Sequence, residues 1–542
     1  MLSLLWPTPA PPRSRSPDAW ADDLALEPLV RALSLSATYQ GAVRGVLTDL
    51  CDDPATILYR QDLLADLLAL PELATQLEAL LPDIGAAALV GTGRWSGELG
   101  VVQIAGRVAE LERYVAIIRA LLEALEATRP SLHATGWHAL HAELAARAAN
   151  DEFRALEAEL PALRARLEQA GSVTLGINLD AQLQPESATL LSVNPGRFGG
   201  PRSLLGRLLG ARDGEAGLTQ LRQASERQPF GPDRTLFLDL SYLLEEVVAP
   251  VAQALARFGR SSGAELRALE HELAFYLGAA QLVRKLRAAG LTLCRPELLP
   301  PEARVFDAPG LYNLELALRV REATTDQNAV PAVVGNAVAF GDEAGRIFVL
   351  TGPNRGGKTT YTRAVGLAQV LCQAGLPVPA TAARISPVDA IFTLFPAAEQ
   401  ARTGMGRLDE EAERLAGIFR QASARSLVLL NEPLGSTSPR EALVIARDVV
   451  CGLRMLGARA IFVTHLHELA FAANELNELV EGPSRVVSLV AGVAAEAERT
   501  GTPRTYRIGP GLPHDRSYAS DIALAHGLQL SQIAQTLRER KV

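Results

Sequence analysis

A chain of 542 residues has room for two to four domains at roughly 150 residues each, and 48% hydrophobic with 21% charged residues allows large packed cores. A net charge of -8 and a pI near 5.7 exclude a basic nucleic-acid coat, so any nucleic-acid contact has to come from a local patch. Cys51, Cys294, Cys372 and Cys451 are too far apart in sequence for a Cys-x-x-Cys zinc site, and a disulfide framework is not expected in a chain of this size.

The opening Met-Leu-Ser-Leu-Leu-Trp-Pro carries no charged segment before its apolar residues, so it does not read as a secretory leader. No uninterrupted apolar run is long enough to span a bilayer. The expectation is therefore a cytoplasmic protein without a membrane partner. Residues 1–17 are proline-rich and read as a disordered lead-in. Helical patterns then run from 18 to about 81, and Asp53-Pro54 suits a helix start.

Val101, Ile104, Val108, Leu111, Val115, Ile118, Leu122 and Leu125 alternate steps of three and four, which predicts one long helix packed lengthwise on another. A further helix is expected from about 140 to 170, interrupted at Pro161. His133, His138 and His141 have no ligand-quality companions and read as structural. Residues 172–179 and 188–193 read as two short strands around a turn. Between 194 and 234 lie seven arginines against four acids, a local positive surplus in an acidic chain. Arg197, Arg202, Arg207 and Arg212 are its candidate contacts to DNA phosphates. Helices resume from 236 to 289 with a break at Pro250.

From 300 onward strands alternate with helices, which implies a largely parallel sheet. Strand candidates are 310–318, 330–340, 347–350, 426–430, 460–464 and 486–490. After the strand at 347–350 comes Gly352-Pro353-Asn354-Arg355-Gly356-Gly357-Lys358-Thr359-Thr360, a Gly-x-x-x-x-Gly-Lys-Thr phosphate loop that opens a helix. Its glycines leave backbone N–H groups free for phosphate oxygens, Lys358 can reach the β- and γ-phosphates, and the Thr359 hydroxyl can ligate Mg2+.

The strand at 426–430 runs into Asn431-Glu432, where a nucleotide hydrolase carries its second acidic motif. Glu432 fits the residue that orients or activates the attacking water. Asn431 can hydrogen-bond a metal-bound water but brings no charge. His465 ends the strand at 460–464 and is a candidate γ-phosphate sensor.

The phosphate loop, Val378-Pro379-Ala380-Thr381 with the residues that follow it, Leu429-Leu430-Asn431-Glu432-Pro433 and Val463-Thr464-His465 occur in one order. Together they resemble the MutS family of ABC-type ATPases over about 300–542. Asp53-Pro54-Ala55-Thr56 resembles the start of that family's helical core. The resemblance implies a multidomain chain: an all-α core and lever domain (18–299) with a small β insertion (172–235) in the place of a DNA clamp, then an α/β ABC-type P-loop ATPase domain (300–542). It also implies a dimerisation segment at about 506–542, hence a homodimer with ATP and Mg2+ as cofactors. Residues 352–360 would hold nucleotide, Thr359 and Asn431 the metal, and Glu432 and His465 would be catalytic.

Three departures shape the expectation. Asn431 replaces the family aspartate, Leu434-Gly435-Ser436 replaces a Gly-Arg-Gly, and none of the fourteen phenylalanines is followed two residues later by glutamate, the pair that wedges mispairs. A member without mismatch-binding, connector and Smr nuclease domains is implied. Its expected role is ATP-dependent switching of its grip on mismatched, branched or otherwise structured DNA in repair or recombination control, as a weak DNA-dependent ATPase associated with the nucleoid. The alternative is a nucleotide-gated scaffold with little hydrolysis and a partner other than DNA.

Overall fold

The computed structural model describes residues 3–7, 19–88, 101–168, 172–179, 181–182, 185–194, 251, 254, 264–323, 332–396, 406–493, 504–513 and 526–539. The chain divides into two compact units, one made of residues 75–130 and 139–270 with Met1, the other of 2–74, 131–138 and 271–542.

In the first unit the three-and-four pattern folds as one helix, Val101–Thr128. Ile104, Val108, Leu111, Val115, Ile118 and Leu125 are buried as their spacing predicts, and Tyr114, Ile117, Leu121 and Ala124 widen the stripe. Leu122 is only half-buried. Alongside runs the helix Asp151–Glu168, joined by a two-pronged Arg119–Glu157 pair at 2.9 and 2.6 Å and by Arg164–Glu112 at 3.1 Å. The helix expected over 140–170 is two, Thr135–Ala149 and Asp151–Glu168. The break falls at Asn150, whose side-chain oxygen accepts the Glu152 N–H at 2.7 Å, while Pro161 sits inside an unbroken helix. The two strands form as expected: β1 (Ser172–Leu179) pairs antiparallel with β2 (Pro185–Asn194). The expected helices at 236–263 fall almost wholly outside the described residues, and Ala264–Ala288 is helical.

The second unit holds most of the α/β pattern. The helix Pro54–Ala69 begins where Asp53-Pro54 predicts: Asp53 Oδ2 accepts from the Thr56 N–H at 2.8 Å and the Thr56 hydroxyl at 2.6 Å, with proline in the first turn. Of the proline-rich lead-in, Leu4 is fully buried and its N–H and the Ser3 hydroxyl donate to Glu272 at 2.5 and 2.6 Å. Burial holds the Glu272 carboxyl above its ordinary range despite those bonds. Among the histidines, His138 Nε2 lies 3.0 Å from the Leu132 carbonyl and His133 lies beside Asp66 at 3.5 Å.

A small sheet joins β3 (Glu297–Leu298), β4 (Phe306–Leu311), β5 (Asn336–Phe340) and β7 (Arg384–Ile385) in the order β3-β7-β4-β5. The expected strand at 310–318 is a correction: β4 ends at Leu311 and Leu314–Ala323 is helical. Asn313 caps that helix by accepting the Leu316 N–H at 2.8 Å, and Leu314, Ala317 and Leu318 are buried at helical spacing. The strand expected at 330–340 begins only at Asn336, and 324–331 lie outside the described residues.

The main sheet is built from β6 (Ile347–Thr351), β8 (Ile391–Leu394), β9 (Leu427–Asn431), β10 (Arg459–Val463), β11 (Val486–Val493) and β12 (Arg504–Pro510), in the order β12-β11-β6-β10-β9-β8. All neighbours are parallel except β11 and β12. β6, β9 and β10 are buried at every position, which explains their unbroken apolar runs. Phe340 of the small sheet stacks on Phe348 of β6 at 4.4 Å and meets Phe306 edge-on at 6.3 Å, fastening the two sheets together.

Candidate nucleotide site

Register decides what meets at the sheet's carboxyl edge. Val463 of β10 lies opposite both Leu350 of β6 and Asn431 of β9, so the residues after each strand emerge side by side. In an open parallel sheet this edge is where ligands bind. Gly352–Gly357, Asn431-Glu432 and Thr464-His465 therefore converge although they are far apart in sequence.

After β6 the chain turns through Gly352 at φ +132° and Gly357 at φ +94°, both in the left-handed region. A Cβ at Gly352 would lie 2.8 Å from that of Ala491, so the turn needs glycine for space as well as for conformation. Gly357 precedes the helix Lys358–Gln373, whose residues are almost all buried; its N-terminal N–H groups face the loop. Arg355 also has positive φ, +59°, without glycine's freedom.

Lys358 is folded back on its own loop. Its Nζ donates to the Gly352 carbonyl at 2.8 Å and the Pro353 carbonyl at 3.2 Å, and lies 3.8 Å from Glu432 Oε1. Burial pulls the Lys358 pKa below its ordinary value, and Glu432 opposes that pull. Glu432 in turn has its carboxyl held below the usual range, first by the hydrogen bond from His465 at 2.7 Å against the opposing effect of burial, then by the charges of His465 and Lys358. Glu432 sits at φ +53°, and its N–H donates to the Val463 carbonyl at 2.9 Å. Asn431 Oδ1 accepts from Thr359 Oγ1 at 3.1 Å.

The loop after Glu432 departs from its expected glycines. Leu434 takes φ +65° and is buried, a conformation that costs a non-glycine residue on the order of 1 kcal/mol or more. It is held by Glu411, whose Oε2 accepts the Leu434 N–H at 2.8 Å and the Ser436 hydroxyl at 3.3 Å. Thr437 and Ser438 begin the helix Pro439–Leu456: both hydroxyls donate to Glu441 Oε2, at 2.7 and 2.8 Å, and Ser438 Oγ accepts the Glu441 N–H at 3.4 Å.

A cavity of about 530 Å³ opens over the loop. Asn354, Arg355, Lys358, Thr359, Thr360 and Glu432 are among the residues lining one part, and Tyr312, Leu316, Val334, Asn336 and Tyr506 among those lining another. The second group was not singled out from sequence. Tyr506 is an exposed aromatic at φ +55°, and a Cβ on Gly357 would come within 3.5 Å of its ring. Its carbonyl accepts from Asn336 Nδ2 at 3.0 Å, while Asn336 Oδ1 accepts the Ile508 N–H at 2.8 Å. No local pattern marks Tyr506; only the pairing of β12 at the sheet edge brings it to the loop. Arg197, Arg202, Arg207 and Arg212 lie outside the described residues.

The donor set can be compared with what Mg2+ requires. Octahedral coordination at 2.0–2.1 Å puts adjacent oxygens about 2.9 Å apart, and Thr359 Oγ1 and Asn431 Oδ1 are 3.1 Å apart. Their spacing fits adjacent positions around one ion, but both are neutral. Among the described residues no group of three or more His, Cys, Asp or Glu side chains is placed to hold a metal.

Comparison with known proteins bears on what this geometry belongs to. A family model described as MutS2 N-terminal domain matches residues 52–289, and one described as MutS domain V matches residues 348–535. The chain belongs to the MutS family. Among MutS relatives named DNA mismatch repair protein MutS, that of Granulibacter bethesdensis is 45% identical over 24% of this chain and 14% of its own length. The Rhizobium meliloti protein is 34% identical over 40% of this chain and 23% of its own length. That of a Synechococcus strain is 35% identical over 42% of this chain and 25% of its own length. The chain thus spans a quarter or less of the length of these MutS relatives.

Proposed function

We propose that the chain is an ATP-dependent DNA-binding protein of the MutS type, in which nucleotide at the 352–360 loop switches the grip on mismatched, branched or otherwise structured DNA. The observation that carries this reading is that Lys358, Thr359 and Glu432 line one cavity, with Asn431 hydrogen-bonded to Thr359 and His465 to Glu432. The names of the relatives, DNA mismatch repair protein MutS, support a role in DNA repair.

In this reading the loop N–H groups and the helix N-terminus receive the phosphates, and Lys358 exchanges the Gly352 and Pro353 carbonyls for the β- and γ-phosphate oxygens. Glu432 orients the attacking water and His465 senses the γ-phosphate. Thr359 and Asn431 would hold Mg2+, which would supply charge neutralisation of the phosphates. The 194–234 arginines contact the DNA backbone, and the 172–235 insertion serves as the clamp. A second copy covers the helix Leu530–Glu539, which buries none of its residues and leaves Leu530, Ile533 and Leu537 exposed.

A second reading is favoured by Asn431. Without a carboxylate beside Thr359, the protein binds ATP and changes state while hydrolysing little, as a nucleotide-gated scaffold. Steady-state ATP turnover with and without branched duplex, in the native chain and in E432Q, separates the two. DNA-stimulated turnover abolished by E432Q supports the ATPase reading; bound ATP with no turnover in either protein supports the scaffold; absence of ATP binding contradicts both.

A further inference from the structure

The charge balance of the cavity leads beyond that reading and rests on it. The formally charged side chains lining the cavity are Arg355, Lys358 and Glu432, a net positive set facing where a polyanion would lie. Asn431 stands where an aspartate would have cancelled that excess, 3.1 Å from Thr359. Arg355 is exposed, lines the cavity and has left-handed backbone. Among the described residues it has no acidic partner, whereas Lys358 is shared between two carbonyls and Glu432.

We propose that Arg355 is a phosphate-binding side chain and that, with Asn431 neutral, it lets this site bind nucleoside triphosphate without a divalent cation. A guanidinium offers planar paired donors that match phosphate oxygens and keeps its charge at any working pH. An aspartate beside the phosphates repels them until a metal intervenes; Asn431 removes that repulsion and with it much of the metal's contribution to binding. The metal's role is thereby confined to the chemical step. The strained backbone at Arg355 is what a functional constraint, rather than folding, would maintain.

The test is equilibrium titration of the full chain with a fluorescent ATP analogue, in magnesium and in excess EDTA. For the native protein the dissociation constants in the two conditions should agree within about threefold, and R355Q should weaken binding in EDTA by about tenfold or more, the worth of one charge-assisted contact. N431D should create magnesium dependence of about tenfold or more by restoring the repelling carboxylate. Native binding that disappears in EDTA, or R355Q binding as tightly as the native chain in EDTA, overturns the proposal and leaves the nucleotide site standing. If the native chain does not bind in magnesium either, or K358A binds as well as native, the nucleotide reading itself fails and takes this proposal with it. Arg355 is exposed, so a folding defect in R355Q is not expected, and its far-UV circular dichroism should match the native spectrum.

Discussion

His465 Nε2 stands 2.7 Å from Glu432 Oε1, and the same carboxylate oxygen lies 3.8 Å from Lys358 Nζ. The three residues proposed to act on the terminal phosphate are thus linked to one another before nucleotide arrives. Both links, which run through Glu432, have to be exchanged for contacts to phosphate or water, so the resting arrangement is an electrostatic circuit that ligand opens.

That circuit has a pH signature. The folded Glu432 carboxyl is held below its ordinary value, so its stabilising contribution is present above that ordinary value and is lost as pH falls through the depressed one. The native chain should therefore melt above E432Q at neutral pH, with the gap closing in acid below the usual carboxylate range. The side chain is 35% exposed, and solvent screening limits the effect to about 1 kcal/mol or less. Thermal melts of both proteins across the acid range check it; a gap that widens in acid contradicts the assignment.

Glu411 restrains the loop that follows the proposed catalytic glutamate. E411A leaves the Leu434 N–H without its acceptor and frees a residue already held at φ +65°. The expected loss is about 1–3 kcal/mol locally, read as faster amide hydrogen exchange at 432–436 with little change in the β9 amides.

Arg60 fastens the phosphate-loop helix from its far end. It is almost fully buried, its guanidinium donates to the Leu5 carbonyl at 2.9 Å and the Gln373 carbonyl at 3.3 Å, and it lies over the Trp6 ring at 4.5 Å. A cation there also complements the helix C-terminus. R60A should destabilise the fold by on the order of 3 kcal/mol, because hydrogen bonds from a charged group and a cation–π contact are lost together. Urea denaturation measures it; a loss below about 1 kcal/mol would show that Arg60 is dispensable.

What was legible in the sequence had a local physical cause. The phosphate loop is contiguous, the Val101–Leu125 pattern follows helix periodicity, and Asp53-Pro54 is a self-contained cap. What was missed depends on partners distant in the chain or on competition between local signals. Leu311–Leu318 has strand-like composition, yet Asn313 caps a helix there and the buried spacing of Leu314, Ala317 and Leu318 rewards it. Pro161 removes one helix bond and so argues for a break, but the helix on either side of it is anchored by buried Leu156, Leu160 and Leu163, and the local cap lies instead at Asn150. Tyr506 reaches the cavity only through the pairing of β12 with β11, which no neighbouring residue announces.

Nucleotide at Lys358 is proposed to change the grip on DNA, and one measurement tests this. The measurement is the affinity of the full chain for a branched duplex over a series of salt concentrations, without nucleotide and with ATP, in the native protein and in K358A. Salt-dependent binding is expected in both proteins, with an ATP-induced change in affinity of about fivefold or more in the native chain alone, the lower range of coupling between linked sites. Affinity unmoved by ATP in the native chain, or moved equally in K358A, would contradict it.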